Sequence, residues 1–216
     1  MKTFSRSWPL ALVLMMALPG CAALSGLSAA STPSELYVLT PKSTFDANLP
    51  RLRYQIAVEE PTATASVNTD QIAVQPTSLR VQYLPEARWV DRAPLIVQSL
   101  MIESFENSGK VPAVGSSAIG LRTDFLIVTD IREFQAFVPA SDANAPLNIN
   151  VRLNIKVIDA FSDRIIASRS FEEVSLAESD DASDVAVAFD EALGDTLRDA
   201  VEWSIRSIAN YGAPRF

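Results

Sequence analysis

The sequence has 216 residues, a formal net charge of −8 and no histidine. Without histidine the chain cannot form a Ser-His-Asp triad, a Cys-His pair or an imidazole zinc site, and its seven glycines build no phosphate-binding loop. The net negative charge also argues against nucleic-acid binding, because Lys and Arg side chains supply the affinity for the phosphate backbone. We therefore expect no cofactor, no metal and no nucleic-acid partner.

The first twenty residues have the three parts of a secretory signal. Lys2 and Arg6 form a basic head, Trp8–Leu18 is an apolar run, and small residues then lead to Cys21. As a helix the apolar run would span about 16 Å, roughly half of the ~30 Å hydrocarbon core of a bilayer. We therefore predict that residues 1–20 are a signal peptide and not a permanent membrane span.

The residues that close this segment predict a lipid anchor. Leu18-Pro19-Gly20-Cys21 resembles the lipobox of bacterial lipoprotein precursors, in which the cysteine sulfur receives a diacylglyceryl group before cleavage. Pro19 departs from the Ala or Ser that is more usual there. Cys21 is the one cysteine of the chain, so it has no internal disulfide partner. The alternative is an ordinary secreted protein or an uncleaved anchor.

After the signal, the sequence predicts a tether followed by one domain. Residues 21–34 form the lipidated N-terminus and a flexible tether, because they are small and polar and lack large apolar side chains. Residues 35–210 are long enough for one domain with a sizeable core, and residues 211–216 form a tail. In the first half of the domain, strands are predicted at Glu35–Thr40, Leu52–Glu59, Gln71–Gln75 and Ser78–Leu84.

A helix is predicted next, from about Asp91 to Gly109. Asp91 is a plausible N-cap, Pro94 suits the first turn, and Gly109 suits the position after the last turn. Apolar residues recur at steps of three and four up to Phe105. Trp89, just before the helix, is expected to pack beneath it and not to stack on a ligand.

The second half of the domain carries the clearest patterns. A strand at Arg122–Val138 is predicted to be central at its start and solvated later. Apolar residues alternate with polar ones from Asn148 to Val157, which predicts an antiparallel strand with one covered face, and Ile165–Leu176 is its hairpin partner. A second helix at Ala182–Ala209 begins among aspartates that favour its dipole and carries one apolar stripe.

These elements predict an α+β fold: a single domain, mainly antiparallel sheet, with one face covered by two principal helices. Adjacent carboxylates at Glu59-Glu60 and Glu172-Glu173 lie on strands, where neighbouring side chains point to opposite faces. The aspartates at 180 and 181 are explained by the helix dipole. We therefore assign no catalytic residue and expect that the protein is not an enzyme.

The ordered set of parts resembles the ABC-type transport auxiliary lipoproteins, over nearly the whole mature chain. The residues that carry this resemblance, besides the lipobox, are the Glu-Leu-Tyr-Val-Leu strand from Glu35, the approach Tyr83–Trp89 to the first helix, Thr123–Ile127, the Ile158–Ala160 hairpin and the last helix with Trp203. These motifs are structural and include no catalytic signature.

The resemblance implies a Gram-negative envelope protein that works with an ABC transporter of the mammalian-cell-entry (MCE) type. In such systems a permease and ATPase act with MCE-domain substrate-binding proteins to move phospholipids or other apolar molecules between membranes. Relatives include the lipoprotein of the paraquat-inducible intermembrane transport system. Implied partners are the MCE-domain protein and the permease and ATPase, and a homo-oligomer is possible.

Ala22 follows Cys21 where enteric bacteria use Asp for inner-membrane retention, so the expected location is the outer membrane, facing the periplasm. The alternative function is a stand-alone envelope lipoprotein that scaffolds an outer-membrane or cell-wall assembly. Neighbouring genes would separate the two hypotheses. Candidate contacts to a partner or to lipid are four aromatic residues: Tyr83, Trp89, Phe134 and Phe137.

Overall fold

The computed structural model describes residues 33–120, 122–139 and 146–212. Within these ranges the chain forms nine strands and two long helices. In chain order they are β1 (Glu35–Tyr37), β2 (Gln55–Val58), β3 (Thr62–Ala63), β4 (Gln71–Thr77), β5 (Arg80–Trp89), α1 (Ala93–Asn107), β6 (Ala113–Ser116), β7 (Phe125–Phe137), β8 (Asn148–Asp159), β9 (Arg164–Leu176) and α2 (Ala182–Tyr211). The predicted α+β class is confirmed.

The three longest strands form the antiparallel part of the sheet. β7 pairs with β8 along its whole length, and β8 pairs with β9 in the same way. On β8 the apolar side chains from Ile149 to Val157 are fully buried beneath the helices, while most of the polar residues between them remain partly accessible. The strict alternation in the sequence therefore predicted both the strand and its covered face.

The other edge of β7 carries three short strands in series. β2, β3 and β4 all run parallel to β7, with registers Ile56↔Phe125, Thr62↔Asp130 and Val74↔Ala136. β6 extends the sheet outward from β2, whereas β5 and then β1 extend it from β4. The sheet is therefore forked on this side of β7, and its shorter pairings are mostly parallel.

β7 corrects one expectation, because its second half is not solvated. A register shift lies between Ile131 and Glu133 in the pairing with β8. Because of this bulge, the side chains of Phe134 and Ala136 lie on the buried face of the strand, where they are 2% and 0% exposed. Charged residues that break the sequence pattern thus mark a bulge and not the end of the covered strand.

The two helices cover one face of the sheet. α2 packs on β8 and β9, and α1 packs on β2, β6 and α2.

The start of α1 corrects a second expectation. The N-cap residue is Arg92 and not the predicted Asp91, and the Arg92 side chain makes no capping hydrogen bond. Asp91 Oδ1 instead accepts a hydrogen bond from the Arg92 backbone N–H at 2.7 Å. At the other end Gly109 has φ of 60°, the left-handed conformation predicted for it. Within the described ranges no helix combines the length and apolar character that a membrane crossing needs.

Residues 38–52 form a connection, here called the strap, that is bonded to both helices. The Lys42 backbone N–H donates to Ser104 Oγ of α1 at 3.1 Å, and Asn107 of α1 donates to the Lys42 carbonyl at 3.1 Å. The Lys42 ammonium reaches across to Asp195 of α2 at 2.6 Å. The strap therefore ties the two helices to each other.

The Lys42–Asp195 pair predicts a pH-dependent contribution to stability. The hydrogen bond from Lys42 lowers the pKa of Asp195, and the charge of Arg198 acts in the same direction. A lowered folded-state pKa stabilises the protein above the unfolded value of about 3.9 and ceases to do so as the pH falls through the folded value. Because Asp195 is 34% exposed, we expect Asp195→Asn to cost at most about 1 kcal/mol at pH 7. Urea unfolding of the wild type and of Asp195→Asn should show a smaller difference in the free energy of unfolding at pH 3 than at pH 7. An equal difference at the two pH values would contradict the stabilising role assigned to the Asp195 carboxylate.

Candidate partner-binding groove

The four aromatic residues predicted as contacts lie in different environments. Trp89 and Phe134 are 1% and 2% exposed, so neither offers a surface to a partner, and these two expectations are corrected. Both rings pack with Phe189 of α2, at centroid distances of 5.1 Å and 5.0 Å. Trp89 is buried as expected, but its ring contacts are with Phe134 of β7 and Phe189 of α2 and not with α1, the helix beneath which it was predicted to pack. These rings form a core cluster under the helices.

The other two predicted aromatics remain accessible. Tyr83 is 36% exposed on β5, and its hydroxyl donates to the Ser66 carbonyl at 3.3 Å. Phe137 is half-buried at the end of β7, on the sheet face opposite the helices. Phe137 lines a cleft of about 690 Å³ whose lining does not include Tyr83. Cys21 and the lipobox residues Leu18, Pro19 and Gly20 lie outside the described residues and stay predictions.

An apolar groove lies where the strap leaves β1 and passes α1. It has a volume of about 450 Å³, within the range of about 300–1,000 Å³ typical of ligand pockets. We call it the β1 groove. Its lining comprises Val38, Leu39, Thr40, Pro41, Val90, Asp91, Leu95, Ile96, Ser99, Leu100 and Glu103. Leu39, Ile96 and Leu100 are buried and form its floor.

The rim of the β1 groove is apolar and unusually accessible. Val38 and Val90 are 68% and 49% exposed, and Leu36 on β1 is 64% exposed. The Val90 N–H donates to the Tyr37 carbonyl at 3.1 Å, which brings the ends of β1 and β5 together. Exposed aliphatic side chains gathered in this way indicate an interaction surface.

The groove wall is fixed to the helix layer by polar contacts. The Thr40 backbone N–H donates to Asp190 Oδ1 of α2 at 2.6 Å, and its hydroxyl lies 2.8 Å from Oδ2. Two charged residues line the groove, Asp91 and Glu103, and both are acidic. A partner that binds here must therefore match an apolar surface with an acidic border.

β1 is also an edge strand of the sheet. It pairs in parallel with β5, and no other described strand pairs with it. An edge strand leaves backbone N–H and C=O groups that can pair with another chain. The sequence predicted the strand at Glu35, but not this groove. The walls of the groove come from two segments that are about fifty residues apart in the sequence, so no local sequence pattern indicates that they come together.

Among the described residues, no group of three or more His, Cys, Asp or Glu side chains is placed to hold a metal ion. What the β1 groove offers is apolar contact area, an acidic border and an adjacent strand edge. This combination suits recognition of a protein segment.

Comparisons with known proteins identify relatives for the whole domain. A crystal structure of protein XCC0632 from Xanthomonas campestris, assigned to a family of unknown function (DUF330), is 26% identical, with a TM-score of 0.76 over 81% of this chain and 96% of that one. The hypothetical protein CT253 from Chlamydia trachomatis shares the fold at 8% identity, with a TM-score of 0.50 over 73% of this chain and all of that one.

A curated relative is an uncharacterized protein of Bradyrhizobium diazoefficiens, 25% identical over 176 residues. The match takes 77% of this chain but 46% of the relative, so the chain spans about half the length of that protein. A family model covers nearly all of the domain, from β1 into α2, and its description is ABC-type transport auxiliary lipoprotein component. With residues 37–201 matched by that model, the chain belongs to the ABC-type transport auxiliary lipoprotein family.

Proposed function

We propose that this protein is the non-catalytic, lipid-anchored auxiliary component of an MCE-type ABC transporter that moves phospholipids or other apolar molecules between membranes. Family membership supports association with an ABC transport system. The observation that carries the docking role is the β1 groove, with its exposed Val38 and Val90. The partners are the MCE-domain protein and the permease and ATPase of the same system.

The position of the groove relative to the proposed anchor supports this role. The lipid on Cys21 would be joined to β1 by residues 22–34, which span at most about 45 Å when fully extended. Because the groove begins at Val38, four residues beyond the tether, the same extended-chain limit keeps it within about 60 Å of the membrane. With Ala22 after the cysteine, we place the anchor in the inner leaflet of the outer membrane, where the domain faces the periplasm.

The chemistry of the groove selects the occupant. An apolar segment of the MCE or permease protein would bury its side chains against Val38 and Val90, and basic residues beside it would meet Asp91 and Glu103. An anionic membrane surface is a poorer match, because the groove border carries the same sign of charge. We therefore assign the groove to a protein partner, and lipid transfer to the assembly as a whole.

Affinity purification of the full-length protein from detergent-solubilised envelopes tests the proposal. We expect an MCE-domain protein and the permease to co-purify with the wild type. Val38→Asp should reduce their recovery about tenfold or more, because it places an uncompensated charge in an apolar contact. Val187→Asp on α2 is the matched control, because Val187 is likewise 68% exposed but lies outside the groove.

The outcomes separate the possible roles. If neither MCE nor permease protein is recovered with the wild type, the proposed function is wrong. If only outer-membrane or cell-wall proteins are recovered, the alternative function as a stand-alone scaffold is favoured. Equal losses for Val38→Asp and Val187→Asp would mean that the partners bind elsewhere, even though the transport role remains.

A further inference from the structure

The outer edge of β9 carries no further strand. β9 pairs with β8 on one side, and no other described strand pairs with it. The strands that end the other side of the sheet, β1 and β6, have three and four residues, whereas β9 has thirteen. Backbone N–H and C=O groups along the outer side of β9 are therefore available to pair with another chain.

This edge lacks the features with which proteins usually block strand pairing, namely proline, lysine, bulges or a short length. The register shift between β8 and β9 lies near the start of β9, and residues 167–176 pair with β8 without interruption. This stretch contains neither proline nor lysine. We call residues 167–176 the β9 edge.

Two charged side chains of the β9 edge lie without a partner on the face covered by the helices. Phe171 marks this face, because it is 6% exposed and its ring contacts Trp203 of α2 at a centroid distance of 5.5 Å. The Arg169 guanidinium lies 5.0 Å from the centroid of the Phe171 ring. Glu173 is on the same face, because side chains two residues apart on a strand point the same way. Neither charged side chain has an ion-pair or hydrogen-bond partner among the described residues.

A second copy of the chain satisfies both charges at once. In an antiparallel pair with two-fold symmetry about Phe171, Arg169 of each copy lies opposite Glu173 of the other. Residues 167–175 then pair with the same residues of the other copy, which uses nearly all of the uninterrupted stretch. Cross-strand pairs of opposite charge stabilise an antiparallel sheet, so this arrangement favours one register.

The neighbouring symmetric registers fit less well. Moving the symmetry axis to residue 172 places Glu172 opposite its own copy, and like charges in that position are destabilising. Moving the axis to residue 170 places Arg169 opposite Phe171 and shortens the uninterrupted pairing to residues 167–173. The charges and the length of the regular stretch therefore select the same axis, at Phe171.

The surroundings of the β9 edge also suit a copy of the same chain. A crevice of about 260 Å³ between β9 and α2 is lined by two arginines, two carboxylates and two aromatic rings. Its charges balance, so two such surfaces can approach each other although the chain has a net charge of −8. Trp203 is half-buried in this crevice, and a neighbouring copy would remove more of its indole from water. A purely basic or purely acidic partner would leave Arg169 or Glu173 unmatched.

We propose that two copies of this chain form a dimer by antiparallel pairing of their β9 edges, with Arg169 of each copy opposite Glu173 of the other. β1 and β9 lie at opposite sides of the sheet, so the β1 groove of each copy remains free in the dimer. The dimer does not rest on the proposed transport role.

Analytical ultracentrifugation of the full-length protein in density-matched detergent micelles measures the association. The wild type should show a reversible equilibrium between monomer and dimer. Arg169→Glu should weaken dimerisation about tenfold or more, because it places two carboxylates opposite each other at two symmetric positions. Arg169→Glu combined with Glu173→Arg exchanges the charges and should restore the affinity to within about threefold of the wild type.

The matched control is Arg164→Glu, which makes the same change of charge on β9 but outside the β9 edge. It should alter the affinity less than about twofold. If circular dichroism shows that Arg169→Glu is unfolded, Glu173→Arg takes its place, since it brings two guanidinium groups together at the same positions.

Hydrogen exchange locates the interface. Amides of residues 167–176 that point away from β8 should exchange about tenfold more slowly at protein concentrations where the dimer forms, and the amides of β1 should not change. A protein that stays monomeric at every concentration would overturn the proposal, as would a dimer that tolerates Arg169→Glu. A double variant that remains monomeric, or protection at β1 in place of β9, would overturn it as well.

Discussion

Replacing Trp89 by alanine should lower the free energy of unfolding by about 3–5 kcal/mol, the usual cost of deleting a fully buried aromatic side chain. The indole is 1% exposed and contacts Phe189 of α2 edge-on at 5.1 Å and Phe134 of β7 at 6.0 Å. Trp89 therefore joins β5, the sheet centre and the last helix. Because domains are typically stable by about 5–15 kcal/mol, this one change would remove a large share of the total.

Urea unfolding followed by far-UV circular dichroism measures this loss without relying on the tryptophan signal. Trp203→Ala is the matched control: its indole is half-buried at the edge of the domain and touches Phe171 at 5.5 Å. The control should cost less than half as much, because less apolar surface leaves water at that position. Equal losses for the two variants would contradict the central role assigned to the Trp89 cluster.

The parts of the fold that the sequence predicted are those with a long, regular period. β8 is a long strand with a strictly alternating pattern, and α2 carries one apolar stripe that ends near Ile208. In each case the period of the apolar residues directly selects one face to bury. Both helices and β8 were predictable for this reason, whereas β9 was predicted from the short turn that joins it to β8.

The forked edge of β7 was not predictable from the same signals. β2 and β3 are four and two residues long, and their parallel pairing with β7 depends on chain direction, which no local pattern encodes. The bulge after Ile131 had a similar effect, since it moved the apolar positions by one residue and made a covered strand look solvated. Short strands and register shifts are set by the packed sheet, not by the segment itself.

The candidate sites show the same limit. Aromatic residues were reasonable guesses for a contact surface, but Trp89 and Phe134 became core because the strand faces turned them toward α2. The β1 groove instead uses aliphatic residues such as Val38 and Val90, which are ordinary in any strand sequence. Their function is visible only after the strap and α1 are placed side by side.

Cys21→Ser should abolish lipid attachment completely, because the lipid would be joined through the cysteine sulfur. Metabolic labelling with a palmitate analogue should mark the wild type and leave the variant unlabelled. The variant should also move from the membrane fraction to the soluble fraction, since each buried CH₂ contributes about 0.8 kcal/mol and several acyl chains hold a protein firmly. Labelling of both proteins would refute the assigned anchor.

A second variant distinguishes the position of the cysteine from the mere presence of a thiol. Cys21→Ser combined with Ser25→Cys restores one cysteine to the chain, four residues beyond the lipobox. If Leu18-Pro19-Gly20 directs the modification, this double variant should remain unlabelled, because its thiol no longer follows those three residues. Labelling of the double variant would mean that an accessible thiol suffices. The lipobox assignment would then fail, and with it the proposal that a tether of residues 22–34 keeps the β1 groove close to the membrane.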